Sequence, residues 1–429
     1  MIRTVLAAAL LALAPAGALA GADVYIGVSP GVEVRRTALA LARFLPSRAQ
    51  SPEDVALAQE FGAIVRADLM YSRYFDIKED PLSTANLDAE KASLAHWKEM
   101  AGWLVTGKAQ DNGGVWTFTA RLYDLSGGNV VIEKFYQGEK RALRRAAHLF
   151  SDEVTLRVTG RPGIAHSKLT FANNATGRKE IYIADYDGGN LTRLTSDNSI
   201  NLLPRWSQDA SRIYYTTYRW GNPDMFEIDL KAGKIRPFTT FQGLNIPGGV
   251  SPDGMTMVMT LSRGDDPGIY MLNIVTKKLK RLLKGFGVSS SPTWSPDGTQ
   301  VAFVSDRSGN PQIYVLDLAT NKTRRLTRLN WCDSPSWSPS GDTIIFSGRE
   351  TPREGFNIFS TDLTGSQIRR LTSKAGDNED PSWSPDGRFI SFTSTRRGRR
   401  EIFIMDSDGS APHPLTEMKG HSFTPNWSP

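Results

Sequence analysis

Short apolar runs alternate with polar turn residues along residues 169–429, and the pattern repeats at a nearly constant interval. The string Trp-Ser-Pro-Asp-Gly, whole or eroded, stands before most runs. Its first residues are Trp206, Val250, Trp294, Trp337, Trp383 and Trp427, which are 44, 44, 43, 46 and 44 positions apart. A second apolar run follows in each period, and a short segment ending in Leu-Thr closes most of them. Four short strands per period of about 40–45 residues indicate the blades of a β-propeller.

The repeated turn has a physical explanation. Proline presets φ at the second turn position, aspartate hydrogen-bonds its own backbone, and glycine accepts positive φ. The tryptophan recurs at one position of the blade, at the end of the innermost strand. We therefore interpret it as an apolar plate packed between blades rather than as a ligand-stacking residue.

The count of repeats predicts how the ring closes. Six second-strand runs begin with Leu169-Thr170-Phe171, which has Ile164–Ser167 before it instead of Trp-Ser-Pro. The last motif, Trp427-Ser428-Pro429, has no blade after it. We predict that the C-terminal strand completes the blade that begins at Leu169 and so removes two open sheet edges. The fold class is mainly β, a six-bladed propeller preceded by a small α/β domain.

The segment before the propeller shows no repeat. Its pattern predicts strands at 23–27, 37–44, 75–78, 103–107, 115–125 and 130–136. Helices are predicted from Ser51 onward, at 90–101 and at 141–158, the first with serine as cap and proline in the first turn. We assign residues 21–159 to an N-terminal α/β domain and 160–429 to the propeller.

The first twenty residues have the features of a signal peptide. Arg3 precedes the apolar run Val5–Ala14, and Ala18-Leu19-Ala20 fits a cleavage site. The run is too short for a membrane span. Cys332 is the only cysteine, so an internal disulfide is excluded and a packed thiol is expected. A net charge of +6 spread along the chain favours acidic partners weakly and gives little support for nucleic-acid binding.

Two features of the sequence could indicate an enzyme. Gly27-Val-Ser29-Pro-Gly31 matches G-x-S-x-G, but Pro30 lacks the N–H that an oxyanion hole needs after the serine. The five histidines form no metal-binding array, so a metal-dependent propeller lyase or lactonase would need carboxylates from several blades. We expect no cofactor, no metal and no catalytic residue.

Strand alternation predicts which face carries a partner. The loops between the second and third strands of each blade open on the same face as the blade-to-blade connections; we call it the crossover face. Its mixture of apolar, aromatic, arginine and acidic residues is typical of protein-binding surfaces. The candidate contacts are Leu202, Arg219, Leu244, Asn245, Ser290, Ser291, Arg307, Trp331, Asp333, Glu379, Asp380 and Phe423. The arginines of 396–400 are read mainly as a solvated hairpin tip, with contact to an acidic partner as the alternative.

These parts in this order resemble the TolB family, the periplasmic component of the Tol–Pal envelope system. The resemblance rests on the signal peptide, the α/β domain, Phe150–Val154, Thr159-Gly160 and the blades that end at Trp427-Ser428-Pro429. It implies a non-enzymatic protein that binds the lipoprotein Pal through one propeller face and the axial mouth. It also implies contact between TolA and the mature N-terminal strand, here Asp23, Val24, Tyr25 and Ile26 within 22–35. A role in outer-membrane integrity and cell division would follow.

The resemblance leaves alternatives open. Residues 23–31 lack the acidic-Gly pattern that the family has after its first strand, so a TolB-like protein of another envelope complex is one alternative. A propeller enzyme, either a metal-dependent lyase or lactonase or a relative of the peptidases, is the other. The expectation is a periplasmic monomer that reaches the membrane only through its partners.

Overall fold

The computed structural model describes residues 36–80, 91–263, 266–283 and 287–429. The predicted signal peptide of residues 1–20 and the strand containing Asp23, Val24, Tyr25 and Ile26 lie outside the described residues. The described chain forms an N-terminal α/β unit followed by a six-bladed β-propeller, which is the predicted fold class.

The N-terminal unit is one mixed sheet with helices on both faces. The strands are β1 (Thr37–Leu41), β2 (Leu45–Pro46), β3 (Phe75–Lys78), β4 (Trp103–Asp111), β5 (Val115–Asp124) and β6 (Asn129–Glu139). Strand β1 is parallel to its neighbours β3 and β4, while β5 is antiparallel to its neighbours β4 and β6. The helices are α1 (Pro52–Tyr71), α2 (Lys91–Lys98) and α3 (Leu143–Thr159), the last preceded by a 3₁₀ turn at Lys140–Ala142.

Helices α1 and α3 cover one face of this sheet. Their core contains Phe61 stacked on Phe118, with ring centroids 3.5 Å apart. Helix α1 begins as predicted, because the Ser51 hydroxyl accepts a hydrogen bond from the Asp54 N–H at 3.3 Å. The first strand is shorter than predicted and ends at Leu41, since β4 next pairs with β2 and Phe44 turns into the core.

Five blades each consist of four consecutive antiparallel strands. The first blade is β10 (Asn201–Trp206), β11 (Arg212–Thr217), β12 (Asp224–Asp229) and β13 (Lys234–Thr239). The second is β14 (Asn245–Val250), β15 (Thr256–Leu261), β16 (Gly268–Asn273) and β17 (Leu279–Arg281); the third is β18 (Ser289–Trp294), β19 (Gln300–Ser305), β20 (Gln312–Asp317) and β21 (Thr323–Arg325). The fourth is β22 (Trp331–Trp337), β23 (Thr343–Arg349), β24 (Asn357–Asp362) and β25 (Ile368–Arg370); the fifth is β26 (Asn378–Trp383), β27 (Phe389–Ser394), β28 (Glu401–Asp406) and β29 (His413–Pro414).

The sixth, closing blade joins the two ends of the ring. Its order is β30 (Ser422–Trp427), β7 (Lys168–Asn173), β8 (Glu180–Asp185) and β9 (Thr192–Arg193). The Trp427 indole donates to the Ser167 hydroxyl at 2.7 Å, and the Ser428 N–H donates to the Lys168 carbonyl at 2.8 Å. The predicted closure by the C-terminal strand is confirmed.

The repeated turn and tryptophan act as their chemistry predicts. In the third blade the Asp297 carboxylate accepts from the Ser295 hydroxyl at 2.6 Å, and Gly298 has a φ of 71°. The Trp206 indole donates across the blade boundary to the Asn426 carbonyl at 3.1 Å. The Trp383 indole likewise donates to the Ser336 carbonyl of the preceding blade at 3.2 Å, so these two tryptophans connect neighbouring blades as well as filling space between them.

Candidate functional site

The two faces of the propeller have different surroundings. The N-terminal unit packs against the fifth and closing blades on the side of the Pro-Asp-Gly turns: Arg388 donates to the Ser72 carbonyl, and Tyr71 contacts Phe389 with ring centroids 4.9 Å apart. On the opposite side lie the crossover face and the mouth of the axial channel. Within the described part of the chain, the contacts between the two units lie on the turn side, and Tyr218 and Trp220 on the crossover face are exposed.

The residues expected in crossover loops are mostly the first residues of the innermost strands. In each of these strands the pairing register shifts in mid-strand, as between Leu202 and Arg205 in β10. Five strands have a left-handed residue at this point, followed in the chain by a proline. These residues are Leu203, Ser291, Ser334, Asp380 and Thr424. Each left-handed residue costs of order 1 kcal/mol of conformational free energy. Bulges of this kind redirect side chains, and here they direct them toward the channel mouth.

The predicted contacts therefore fall into groups. Leu202, Ser290, Asp333, Glu379 and Phe423 occupy one equivalent position in five innermost strands, with Ser291 and Asp380 at the next position. Trp331 begins β22, and Leu244 precedes β14. Arg219 and Arg307 lie in the hairpins after β11 and β19. The bulged strands bring most of these residues to one rim.

Asn245 requires a correction. Its side chain is fully buried at the start of β14. The amide donates to the Phe241 carbonyl at 2.6 Å and the Gly243 carbonyl at 2.9 Å, and its oxygen accepts from the Phe241 N–H at 3.1 Å. Asn245 stabilises the connection between the first two blades, so it is not available as a partner contact.

The axial channel encloses about 240 Å³ and contains both signs of charge. Asp333 and Asp380 accept hydrogen bonds from Ser291 at 3.2 Å and Ser334 at 2.9 Å. Burial raises the pKa of both carboxyl groups. Burial likewise lowers the pKa of Arg205, which also lines the channel. The channel therefore contains both acidic and basic groups that burial removes from water.

Sequence reasoning missed Arg205. Aligning the six repeats with one another would have shown it, because the residue before the tryptophan position is small or neutral in the other five. Those residues are Gly249, Thr293, Ser336, Ser382 and Asn426. A single charged residue at a repeated channel position is the signal that was available.

Arginines form a basic rim around the mouth. Arg307 lies over the Phe303 and Tyr314 rings, 5.3 and 5.2 Å from their centroids, and donates to the Ser305 hydroxyl at 3.1 Å. Arg396 has the same arrangement in the fifth blade, over Phe392 and Phe403. Each arginine caps its own blade while presenting charge at the crossover face.

Exposed aromatic residues lie on the same face in the first blade. Trp220 is 59% exposed and packs edge-on against Phe226, with centroids 5.0 Å apart. Tyr218 beside it is also exposed. Tryptophan, tyrosine and arginine together are the residues most often found at energetic centres of protein interfaces.

One group of described side chains could geometrically hold a metal ion. The potential ligand atoms of His148, Asp185 and Asp187 lie within 4.8 Å of one another. Arg144 donates to Asp187 at 2.6 Å, and Lys168 pairs with Asp185. Because two side-chain cations already neutralise these carboxylates, the cluster is better explained as an ionic contact between the N-terminal unit and the closing blade.

Asp68 and His148 extend this contact into the N-terminal unit. The buried Asp68 carboxylate accepts from His148 Nδ1 at 2.9 Å and from the Tyr186 hydroxyl of the propeller at 2.7 Å. Burial alone would lower the pKa of His148, but hydrogen bonds to Asp185 and Asp68 outweigh it and raise the pKa to about 9. Burial opposes ionisation of Asp185 as well, yet hydrogen bonds from His148 and Lys168 hold its pKa well below the usual range.

The raised pKa of His148 predicts a loss of stability at alkaline pH. Its contribution is complete below the unfolded pKa of about 6.5 and disappears as pH rises through the folded pKa of about 9. The difference corresponds to about 3 kcal/mol. We expect the Tm of the wild type to fall as the pH rises between these two pKa values, and the Tm of His148→Gln to show no such fall. Thermal unfolding of both proteins measures this difference. Equal slopes in both proteins would contradict this assignment.

Comparison with known proteins places the chain in a family. The family model of the TolB beta propeller domain matches residues 156–429. Over 225 residues the chain is 34% identical to the Tol-Pal system protein TolB of Desulfosudis oleivorans, which covers 51% of each chain. Over 184 residues it is 35% identical to the Tol-Pal system protein TolB of Geobacter sulfurreducens, covering 41% of each. The chain thus spans about half the length, or less, of these curated relatives.

A solved structure matches over a larger part of the chain. The crystal structure of TolB from Acinetobacter baumannii superposes with a TM-score of 0.76 at 26% identity, covering 92% of this chain and 97% of that one. None of the described helices is long and apolar enough to cross a membrane. The fold and its open face define a six-bladed propeller with an N-terminal α/β unit. With the match to its propeller model, the chain belongs to the TolB family.

Proposed function

We propose that this chain is a non-enzymatic periplasmic adaptor of the Tol–Pal system that binds the lipoprotein Pal. The observation that carries the proposal is the asymmetry of the propeller. One face is packed against the N-terminal unit, whereas the crossover face surrounds an open channel with aromatic and arginine side chains. Family membership supports the choice of Pal as the partner, since the relatives are named as Tol-Pal system proteins.

The surroundings of Cys332 and His166 favour binding over catalysis. Burial raises the pKa of the Cys332 thiol to about 11, which leaves it protonated and unreactive at neutral pH. The exposed His166 is paired with Asp152, whose carboxylate also accepts the Ala165 N–H at 2.8 Å. These groups stabilise local structure, and we assign none of them a catalytic role.

The remainder of the proposal concerns residues 1–35. Residues 1–20 would direct export to the periplasm, and the segment 22–35 would contact TolA through Asp23, Val24, Tyr25 and Ile26. Pal at one end and TolA at the other would connect the outer and inner membranes. Through that connection the protein would contribute to outer-membrane integrity and cell division.

Substitutions on the crossover face should weaken Pal binding without unfolding the protein. We expect Trp331→Ala and Arg307→Ala each to raise the Kd by about tenfold or more, because large aromatic and arginine side chains dominate interface energies. The Tm should change little, since both side chains lie at the rim. Isothermal titration calorimetry with the cognate Pal measures the Kd.

The matched control is Met255→Ala, which changes an exposed apolar residue beside a turn on the opposite side of the propeller. It should bind Pal like the wild type. Failure of the wild type to bind Pal at micromolar concentration would overturn the proposed function. A collapse of folding in the two rim variants would instead mean that these residues are structural.

A further inference from the structure

Two cations share one aromatic ring where the closing blade meets the fifth blade. The Lys179 Nζ lies 4.0 Å from the centroid of the Phe423 ring, and the Arg400 guanidinium carbon lies 5.8 Å from the same centroid. Lys179 stands before β8, Phe423 in β30 and Arg400 before β28. We call this group of three residues the seam notch.

Within the described residues, the seam notch contains one ion-paired cation and one cation without an ion pair. Arg400 is paired with Glu379. Lys179 has no ion pair with a carboxylate within the described ranges, although it is only partly exposed. Its pKa is lowered, first by burial and then by repulsion from Arg400, and attraction to Asp380 offsets this lowering only in part. The repulsion between Lys179 and Arg400 costs free energy that an additional anion would relieve.

The position of the notch associates it with the open face. Phe423 and Glu379 occupy equivalent positions in β30 and β26, and the residue after Glu379 is Asp380, which lines the channel. The notch is therefore at the rim of the channel mouth. A segment that docks on the crossover face would pass directly over it.

We propose that the seam notch receives a carboxylate from an acidic segment of the docking protein, placed between Lys179 and Arg400. The proposal rests on the proposed function of the crossover face and specifies the chemistry of the partner there. Glu379 and Asp380 beside the notch repel an extended anionic surface such as a lipid bilayer more than they repel a single carboxylate. An acidic protein segment is thus favoured over a membrane.

The chain contains a matched control for Lys179. Lys277 also lies over a phenylalanine, 3.2 Å from the Phe238 centroid, and burial lowers its pKa too. It stands in the turn between β16 and β17, which strand alternation places at the end of its blade away from the crossover face. Lys179→Gln and Lys277→Gln therefore remove the same charge from the same kind of stacked position on opposite sides.

The direct test uses a fluorescein-labelled hexaglutamate peptide and the full chain, with binding followed by fluorescence anisotropy. At about 0.01 M ionic strength, where exposed charges are little screened, the wild type and Lys277→Gln should bind alike. Lys179→Gln should bind about tenfold more weakly. Equal binding by the two variants, or no binding by the wild type, would overturn the proposal.

Two further arms separate the possible failures. Pal that binds the wild type and Lys179→Gln equally would refute the notch while leaving the proposed function intact. If Pal binds neither the wild type nor Lys179→Gln, while hexaglutamate binding still depends on Lys179, the proposed function is refuted and the notch is retained. The third ligand is a vesicle of phosphatidylcholine and phosphatidylglycerol. If vesicle binding depends on Lys179 and hexaglutamate binding does not, the notch binds lipid and the proposal is overturned.

Discussion

Removal of residues 422–429 should prevent the propeller from folding. These residues form β30, the innermost strand of the closing blade, and Trp427 is only 4% exposed within a core that includes Phe389, Ile402 and Ile404. Without β30, strand β7 has an unpaired edge and the fifth blade loses its neighbour. Since each blade is stable only through its neighbours, we expect loss of the far-UV β signal, or aggregation on size-exclusion chromatography.

Single substitutions at Trp427 make the same prediction measurable. Trp427→Ala should lower the free energy of unfolding by about 3–5 kcal/mol, as other substitutions of a large buried residue by a small one do. Trp427→Phe keeps an aromatic ring but loses the hydrogen bond to Ser167. We expect this loss to lower the free energy of unfolding by about 1 kcal/mol, in addition to the effect of the smaller ring. Urea unfolding gives these values. A truncated chain with the melting curve of the full chain would refute closure by β30.

Asp68→Ala should be the most damaging single change in the contact between the two units. Asp68 lies in α1 and accepts hydrogen bonds from His148 of α3 and Tyr186 of the propeller, all three side chains being buried. Removing the carboxylate leaves the His148 charge and the Tyr186 hydroxyl without this partner. Breaking a buried pair in this way costs about 3–5 kcal/mol. We expect a marked fall in Tm and separate melting of the N-terminal unit.

The control for this prediction is Asp76→Ala. Asp76 is an exposed residue of β3 whose ion pair with Lys78, at 2.7 Å, is on the surface. Such pairs contribute about 0–1 kcal/mol, so the control should melt nearly as the wild type does. Differential scanning calorimetry distinguishes one transition from two. If Asp68→Ala and Asp76→Ala had equal effects, the buried contact would not stabilise the docking of the two units.

The blades could be predicted because their signals are local. A proline-aspartate-glycine turn and alternating apolar residues determine a hairpin within a few positions, and the period of the repeat then determines the ring. The start of α1 was predictable for the same reason, since Ser51, Pro52 and Asp54 are adjacent in sequence. Local chemistry of this kind needs no knowledge of distant residues.

The candidate site was only partly predictable. The left-handed positions at Leu203, Ser291 and Thr424 carry residues that do not favour this conformation, so the bulges arise from packing around the channel rather than from local preference. Asn245 was predicted to be a surface residue because it follows a loop, whereas packing at the start of β14 buries it fully. The contact that joins Asp68, His148 and Asp185 left no local pattern, because its members are far apart in the chain.

Hydrogen–deuterium exchange of the full chain with and without the cognate Pal tests the central claim, that the crossover face is the binding surface. We expect slower exchange at the channel mouth and in the hairpins that carry Arg219 and Arg307, with unchanged exchange at the Pro-Asp-Gly turns. Protection of those turns or of the N-terminal sheet, with an unaffected crossover face, would contradict it.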